Sequence, residues 1–444
     1  MNFRCMFYQY RAAAVALVAM SFGITCSFSF ALAEEKESVP KGPHGAAVVT
    51  YQLQQLDRLI GDRDVTKTPP GFDAVVWQAF IPEDNEITPE RVALGRKLFF
   101  DPRLSRDGTV TCATCHDVTR AFTDQRKVSE GIEEQLGHRN APTTMNVTLL
   151  QTLFLDGRSP TLENQAKLPI LNPIEMGMPD KKTALEAISN DPYYQKAFKE
   201  AYGRELNYEE IGRAIAAFER TLVFNESPFQ KFVNGDKQAI SQNARTGWLL
   251  YNGKARCVTC HPINPSNPLG TDNRFHNVGV SARHQNFEQL ADKALQALKS
   301  NSSEQALDEL AVSTDLSELG RFMVTKNRSQ IGAFRTPLLI NVGITPPYMH
   351  DGTMNTLWDV MDHYNKCGEP NPFLDGGMEP LALSETEIDQ IVEFLFTMTD
   401  ERFAEENQKQ FDSQRALANK ERPFRNDDLA FRRTIQFEQR VMGQ

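Results

Sequence analysis

The sequence has few cysteines, no excess of basic residues and, after its first 33 residues, no long hydrophobic run. It contains 7 Cys in 444 residues, of which two fall in residues 1–33 and four in two short motifs. At most one cysteine is left over, which excludes the disulfide framework of a small secreted domain. The formal net charge of −10 argues against a nucleic-acid partner. Beyond residue 33 no stretch approaches 18 uninterrupted apolar residues, so the mature chain is not expected to be membrane-embedded.

The first 33 residues have the features of a cleaved secretory signal peptide. Arg4 and Arg11 form a basic start, residues 12–30 are mostly apolar, and residues 31–33 read ALA, an A-x-A cleavage site. A retained membrane anchor is the alternative, which the small residues at the cleavage site disfavour. We therefore expect export to the periplasm.

Two CxxCH motifs are the strongest chemical signal in the chain. Residues 112–116 read CATCH and residues 257–261 read CVTCH. The pattern is typical of covalent haem c attachment, with two thioethers from the cysteines and an axial imidazole from the histidine. A zinc site built from two CxxC pairs would give the histidines no role, and a thioredoxin-like redox pair would need a βαβ pattern that the sequence does not show. We expect two haem c groups, attached through Cys112, Cys115, Cys257 and Cys260 and ligated by His116 and His261.

Hydrophobic periodicity predicts a mostly α-helical protein. A Gly-led apolar helix precedes each CxxCH motif, and each half of the chain closes with an amphipathic helix. The first closing helix covers residues 207–223, with Asn207 as its N-cap. The second covers residues 384–400, with Ser384 and Glu387 as a capping box. This duplication indicates two cytochrome c-like helical domains, each with one covalently bound haem c.

The domain boundaries are predicted from the same signals. We divide the chain into a signal peptide at 1–33, an irregular N-terminal extension at 34–85, domain 1 at 86–235, domain 2 at 236–400 with a helical insertion at about 283–320, and a charged C-terminal extension at 401–444. Neither the insertion nor the C-terminal extension is assigned a function from the sequence.

Several further motifs occur in a fixed order between about residues 85 and 400. They are GRKLFFDPRLSRDGTVTCATCH, HRNAPT, LDGR, LPILNPIEM, CVTCH, AFRTP and TPPYMHDGT. This set resembles the bacterial di-haem cytochrome c peroxidases, and within them the MauG-like branch. The resemblance implies two unlike haems: a peroxidatic haem in domain 1 that reacts with hydrogen peroxide, and an electron-transfer haem in domain 2. It also implies that the haems lie near the domain interface, with a calcium ion between them.

The resemblance implies which residues form the peroxide site. Glu175, in NPIEM, matches the family's distal glutamate, and Gln165 and Pro169 match positions in the same pocket. A carboxylate above an open iron can take the first proton from peroxide and return it to the leaving oxygen. Without the resemblance, Glu175 would be interpreted as an ordinary surface acid.

The resemblance also assigns calcium ligands and a haem-proximal arginine. Asn140, Thr345 and Pro347 match the calcium-binding positions, which offer amide and backbone carbonyl oxygens. Such hard oxygen donors suit Ca²⁺, although HRNAPT alone would be an ordinary turn. Arg335, in AFRTP, matches an arginine near the second haem, where it is expected to pair with a propionate.

The sixth ligand of the second haem is expected to distinguish the subtype. The family's ligand position lies fourteen residues after His350, which is Tyr364 here, as in the MauG-like branch, whereas cytochrome-oxidising peroxidases have methionine. A phenolate stabilises high oxidation states of iron and a thioether raises the potential. Met361, one turn earlier, is the alternative ligand. No histidine stands near Ile132, where peroxidases that need reductive activation have a distal ligand, so the first iron is expected to be open at rest.

Two departures separate the chain from MauG itself. The tryptophan of the family's WDGR motif is Leu155 here, and a tryptophan before the second CxxCH motif is Ala255. We therefore expect either a peroxidase that draws electrons from a small cytochrome c or cupredoxin, or a MauG-like enzyme that oxidises side chains of a protein substrate. A non-catalytic di-haem electron-transfer protein, with both irons saturated, is the alternative from another class, and a peroxide or redox sensor is a third.

Overall fold

The computed structural model describes residues 46–264, 269–281 and 286–421. The predicted signal peptide at 1–33 and the end of the C-terminal extension lie outside the described residues. The prediction of a mostly helical protein is confirmed. The α-helices are α1 Ala46–Ile60, α2 Ala74–Gln78, α3 Pro89–Phe99, α4 Cys112–Cys115, α5 Leu162–Gln165, α6 Leu168–Leu171, α7 Lys181–Ser189, α8 Pro192–Tyr202, α9 Tyr208–Glu219, α10 Pro228–Val233, α11 Gln242–Asn252, α12 Phe287–Ser300, α13 Glu304–Ser313, α14 Phe322–Thr325, α15 Leu357–Asn365, α16 Glu385–Phe396 and α17 Ala404–Glu421.

Short 3₁₀ helices and one small sheet complete the secondary structure of the described ranges. The 3₁₀ helices are Glu83–Asn85, Pro102–Leu104, Val118–Arg120, Ile132–Glu134, Val147–Leu149, Cys257–Thr259, Asp315–Leu319, Arg328–Gln330, Val342–Ile344 and Glu401–Phe403. Strands β1, Phe275–His276, and β2, Phe334–Arg335, pair antiparallel with Phe275 opposite Arg335. Among the described helices none is long and apolar enough to cross a membrane.

The first hydrophobic core forms where α3 crosses α9. The N-cap predicted at Asn207 is present, with its side-chain oxygen accepting from the Glu210 amide at 3.1 Å. The apolar stripe of α9 is fully buried in this core. At the crossing, a Cβ atom on Gly95 would overlap the backbone oxygen of Ala214. The two helix backbones can approach this closely only because residue 95 is glycine.

The second core repeats this arrangement with α11 and α16. Ser384 and Glu387 form the predicted capping box of α16. A Cβ atom on Gly247 would overlap the backbone oxygen of Gln390, as at the first crossing. Each half of the chain therefore has the helix that precedes its CxxCH motif packed through a glycine against its closing helix. This repeated packing supports the duplication, and the domain boundaries at 86–235 and 236–400 stay predictions.

The predicted extensions and the insertion form helices that pack in their described parts. The N-terminal extension was predicted to be irregular, which is wrong for its described part, because it contains α1 and α2. Leu56 of α1 packs in the first core and Trp77 of α2 in the second. In the C-terminal extension, α17 buries Gln414, which donates to the Gly343 carbonyl at 3.0 Å. The segment predicted as an insertion contains α12 and α13, which pack beside a small hydrophobic cluster of their own.

Candidate functional site

The first CxxCH motif forms a short helix whose histidine is held by the loop that follows. Cys112 and Cys115 begin and end α4, and Thr111 caps it. The Nδ1 atom of His116 lies 3.2 Å from the carbonyl oxygen of Phe122. A ring Nδ1–H that donates to a carbonyl leaves Nε2 as the metal-binding atom. Backbone φ angles of 56° at Ala121 and 57° at Phe122 turn the loop back under the ring.

The second motif holds its histidine in the same way. The Nδ1 atom of His261 lies 2.7 Å from the carbonyl oxygen of Gly270. The hydroxyl of Tyr251, on α11, donates to the carbonyl of His261 itself. Both predicted axial histidines therefore have a fixed tautomer and ring orientation, which is what an iron ligand requires.

A large cavity adjoins the first motif. Its empty volume is about 1330 Å³, including its opening, and most of its lining is apolar. The thiols of Cys112 and Cys115 lie on its wall together with His116. The wall also carries the three residues predicted for the peroxide site: Gln165, Pro169 and Glu175. A cavity whose lining includes two attachment thiols, one imidazole and a carboxyl fits a covalently bound haem c.

Glu175 is positioned by backbone contacts with the loop at residues 131–132. Its carbonyl accepts from the Ile132 amide at 2.9 Å, and a side chain on Gly131 would overlap the Ile174 carbonyl. The Oε2 atom of Glu175 is buried and has no hydrogen-bond partner among the described residues. Burial, with a smaller contribution from the negative charge of Asp308, raises the pKa of Glu175 to about 8, and the Arg158 cation opposes this. Both protonation states are therefore accessible near neutral pH.

A buried network of ion pairs includes two residues of the cavity wall, and it was not predicted from the sequence. Arg158 lines the cavity and pairs with Asp156 at 3.1 Å and with Asp308 at 2.7 Å. Asp156 also pairs with Arg139, another cavity residue, at 2.7 Å. The only signal in the sequence was the LDGR motif, which contains Asp156 and Arg158. Nothing in the sequence connects it with Asp308.

Glu219 is a second acid that sequence reasoning missed. It lies on α9, lines the same cavity and is only 4% exposed. Burial raises its pKa to about 8, and the neighbouring Arg220 opposes this. The periodicity of α9 places residue 219 beside buried positions, which was the available signal.

Arg335 lies between the two motifs. It lines the cavity of the first motif, while its strand, β2, pairs with β1 near the second motif. Its guanidinium donates to the Phe154 carbonyl at 3.3 Å and to the Thr336 carbonyl at 3.4 Å. Burial lowers the pKa of Arg335 to about 10, and the negative charge of Asp156 opposes this. A buried cation of this kind fits a carboxylate such as a haem propionate.

The segments that carry the predicted calcium ligands meet at one place. The Asn140 amide donates to the His350 carbonyl at 2.9 Å, and its side-chain nitrogen donates to the Arg126 carbonyl at 2.8 Å. Gln125 in turn donates to the Ile344 carbonyl at 3.3 Å, just before Thr345 and Pro347. Because the side-chain nitrogen of Asn140 donates this hydrogen bond, its side-chain oxygen is the atom available to a cation.

The structure places Tyr364 beside the second motif. Burial raises the pKa of the Tyr364 phenol well above its ordinary value, and the nearby Cys260 and Cys257 raise it further. Met361, on the same helix α15, is 3% exposed and packs in the second core. At the two positions where the sequence departs from MauG, Leu155 lies on the wall of the cavity and Ala255 is buried.

Comparisons with known proteins agree with this geometry. Residues 89–238 match the family model of the di-haem cytochrome c peroxidases. The methylamine utilization protein MauG of Methylorubrum extorquens is 36% identical over 322 residues, which cover 72% of this chain and 81% of that protein. The chain belongs to the di-haem cytochrome c peroxidase family. The cytochrome c551 peroxidase of Nitrosomonas europaea is 32% identical over 320 residues, covering 71% of this chain and 83% of that protein.

A solved structure is also similar to this di-haem peroxidase. The crystal structure of a MauG-like protein associated with microbial copper homeostasis superposes with a TM-score of 0.61 and 29% identity. The match covers 72% of this chain and 92% of that one. Family membership implies two haem c groups and a haem-dependent oxidoreductase that uses peroxide, of either the cytochrome c peroxidase or the MauG type.

Proposed function

We propose that this di-haem peroxidase is a periplasmic enzyme of the MauG-like branch, which reduces hydrogen peroxide with electrons from a partner protein. The observation that carries the proposal is the cavity in which Cys112, Cys115 and His116 share a wall with the carboxyl of Glu175. The apolar first 33 residues of the sequence support export. The net reaction takes two electrons and two protons per peroxide and releases two water molecules.

The residues of the chain supply positioning and proton transfer. When bound, the haem iron supplies the redox chemistry. His116 orients the haem, since its Nδ1 atom is held by the Phe122 carbonyl. Glu175 accepts a proton from the bound peroxide and delivers it to the departing oxygen, which its accessible protonation states allow. The apolar lining excludes water that would compete with peroxide for the site.

We assign the second motif to electron transfer, and His261 and Tyr364 are the residues that would hold its haem iron. The proximity of Tyr364 to Cys260 and Cys257 supports this ligation. Calcium is proposed at Asn140, Thr345 and Pro347, where segments of both halves meet. Electrons would reach the second haem from a small cytochrome c or a cupredoxin.

Addition of one equivalent of peroxide to the fully oxidised protein tests the proposal. We expect the ferric EPR signals of both haems to disappear without prior reduction, because the sequence has no histidine near Ile132 that would close the first iron. Recovery of these signals on addition of a reduced cytochrome c or cupredoxin would identify the type of donor. If peroxide reacts only after one haem is reduced, the MauG-like assignment is wrong. If peroxide and cyanide both fail to bind, the protein is an electron carrier.

Oxidation of a protein substrate is the second candidate function, and Tyr364 favours it. The replacement Tyr364→Met tests the ligand assignment. A thioether should raise the potential of the second haem by on the order of 0.1 V or more, within the range of about 0.8 V that axial ligands span. The control is Met361→Leu, which removes the other candidate ligand and should leave the potential unchanged. Redox titration followed optically measures both, and the opposite pattern would make Met361 the ligand.

A further inference from the structure

The insertion forms part of the wall of the peroxide cavity. Val312, on α13, lines the cavity, and its carbonyl accepts from the His138 amide at 2.9 Å. Helix α13 also packs against α6, which precedes the turn that carries Glu175. One acidic side chain of α13, Asp308, points into the protein and is 2% exposed. The insertion therefore contributes to the wall of the cavity and packs against the helix that precedes Glu175.

Asp308 connects two groups that flank Glu175. Its Oδ1 atom accepts from the Nε atom of Arg158 at 2.8 Å, and its Oδ2 atom accepts from the side-chain nitrogen of Asn172 at 2.6 Å. Arg158 lies on the cavity wall. The Asn172 carbonyl accepts from the Glu175 amide at 3.2 Å and from the Gly177 amide at 2.8 Å, so Asn172 anchors the turn that carries Glu175.

The charges around Glu175 show why the contacts that Asp308 makes with Arg158 and Asn172 matter. The charged residues on the cavity wall, besides Glu175, are Arg139, Arg158, Arg335 and Glu219. Arg139 is paired with Asp156, and Arg158 is paired with both Asp156 and Asp308. Glu175 has no ion-pair partner among the described residues, and its Oε2 atom is buried without a hydrogen bond. Asp308, together with Asp156, therefore keeps Arg158 paired on the wall that also carries Glu175.

We propose that Asp308 is a positioning residue of the peroxide site: it holds Arg158 and Asn172 in place beside Glu175. A negative charge held at this place disfavours a second negative charge on Glu175. The inference rests on the proposed function, because it assigns Asp308 to the proton-transfer step. The raised pKa of Glu175 agrees with it, since Asp308 adds to the effect of burial. The insertion thus supplies a charge that tunes the catalytic carboxyl without touching peroxide itself.

The test follows the carboxyl of Glu175 directly in the full-length haem-loaded protein, without peroxide. Infrared difference spectra across a pH titration contain the band of a protonated carboxyl, and the band lost in Glu175→Gln belongs to Glu175. We expect Asp308→Asn to lower the titration midpoint of that band by about one pH unit or more. Asp308→Glu, which keeps the charge, should restore a midpoint close to that of the unmodified protein. An unchanged or higher midpoint in Asp308→Asn would overturn the proposal.

Two further variants separate this effect from loss of structure. Asp315→Asn removes an exposed acid of the same insertion, which pairs with Lys293 at 3.2 Å, and should leave the midpoint unchanged. Arg158→Gln removes the opposing cation and should raise the midpoint, so it tests the same arrangement with the opposite sign if Asp308→Asn does not fold. An unchanged or lower midpoint in Arg158→Gln contradicts the proposal. Peroxide reactivity of the unmodified protein is measured separately, and its absence would remove the proposed function without moving the midpoints.

Discussion

At the residue scale, the acid with the clearest chemical role is Glu175. Replacement by glutamine keeps the shape of the side chain but removes the proton transfer that we propose for it. We expect Glu175→Gln to slow the reaction of the oxidised protein with peroxide by about 10²- to 10⁴-fold, the usual contribution of a general acid–base group. Stopped-flow absorption measures the rate. The exposed Glu200→Gln, on α8, is the control and should react at the unchanged rate. Equal rates for Glu175→Gln and Glu200→Gln would exclude Glu175 from the proton-transfer step.

Glu219 allows a prediction about stability and pH. Its folded-state pKa is raised by burial from the ordinary value of 4.5 to about 8. Between these values the unfolded chain releases the proton while the folded protein keeps it. The stability contributed by the neutral carboxyl is therefore fully present below pH 4.5 and is lost as the pH rises through about 8.

The variant Glu219→Gln should lose less stability than the unmodified protein between pH 5 and pH 9. The expected difference is on the order of 1–4 kcal/mol, since each pKa unit corresponds to about 1.4 kcal/mol. Urea unfolding at several pH values measures it. The exposed Glu186→Gln, on α7, should show no such difference. Parallel pH dependences for Glu219→Gln and the unmodified protein would show that Glu219 is ionised in the fold.

At the element scale, glycines allow two pairs of helices to pack closely: Gly95 where α3 crosses α9, and Gly247 where α11 crosses α16. In Gly95→Ala and Gly247→Ala the added Cβ would overlap a backbone oxygen, and a backbone cannot yield as a flexible side chain can. We expect each variant to be destabilised by about 1–3 kcal/mol or more and to incorporate less haem at its own motif. Gly376→Ala, where nothing lies within 4 Å, is the control. Urea unfolding and optical haem quantification measure both effects, and wild-type behaviour of both crossing variants would contradict the packing.

The sequence allows the closing helices to be predicted but not the contacts beyond them. The N-cap of α9 and the capping box of α16 follow local rules, and both are present. Helices α1 and α2 were missed because their stability comes from packing Leu56 and Trp77 into cores formed much later in the chain. Asp308 was missed for the same reason: its ion pair with Arg158 spans 150 residues, a separation that no local pattern can reveal. Glu175 was identified only through family resemblance.

At the scale of the whole molecule, the two halves are connected near the proposed calcium ligands. Asn140 belongs to the first half, and its main-chain amide donates to the carbonyl of His350 in the second. The neighbouring carbonyl of Ile344 is held by Gln125 of the first half. A cation bound by Asn140, Thr345 and Pro347 would therefore fix the relative position of the two haem-binding halves, and so the path for electrons between them.

Removal of calcium should accordingly impair communication between the haems more than peroxide binding. After treatment with a chelator, we expect cyanide to bind the first haem with unchanged affinity, while electron transfer from the second haem to the first slows by at least about tenfold. Added Ca²⁺ should restore the rate and Mg²⁺ should not, because Mg²⁺ dehydrates reluctantly and is poorly served by neutral carbonyl cages. Elemental analysis of the purified protein, with one Ca²⁺ per chain expected, and stopped-flow reduction measure the two quantities. Asn140→Ala should reproduce the chelator effect without a chelator, whereas full activity of a calcium-free protein would show that the hydrogen bonds between the halves suffice on their own.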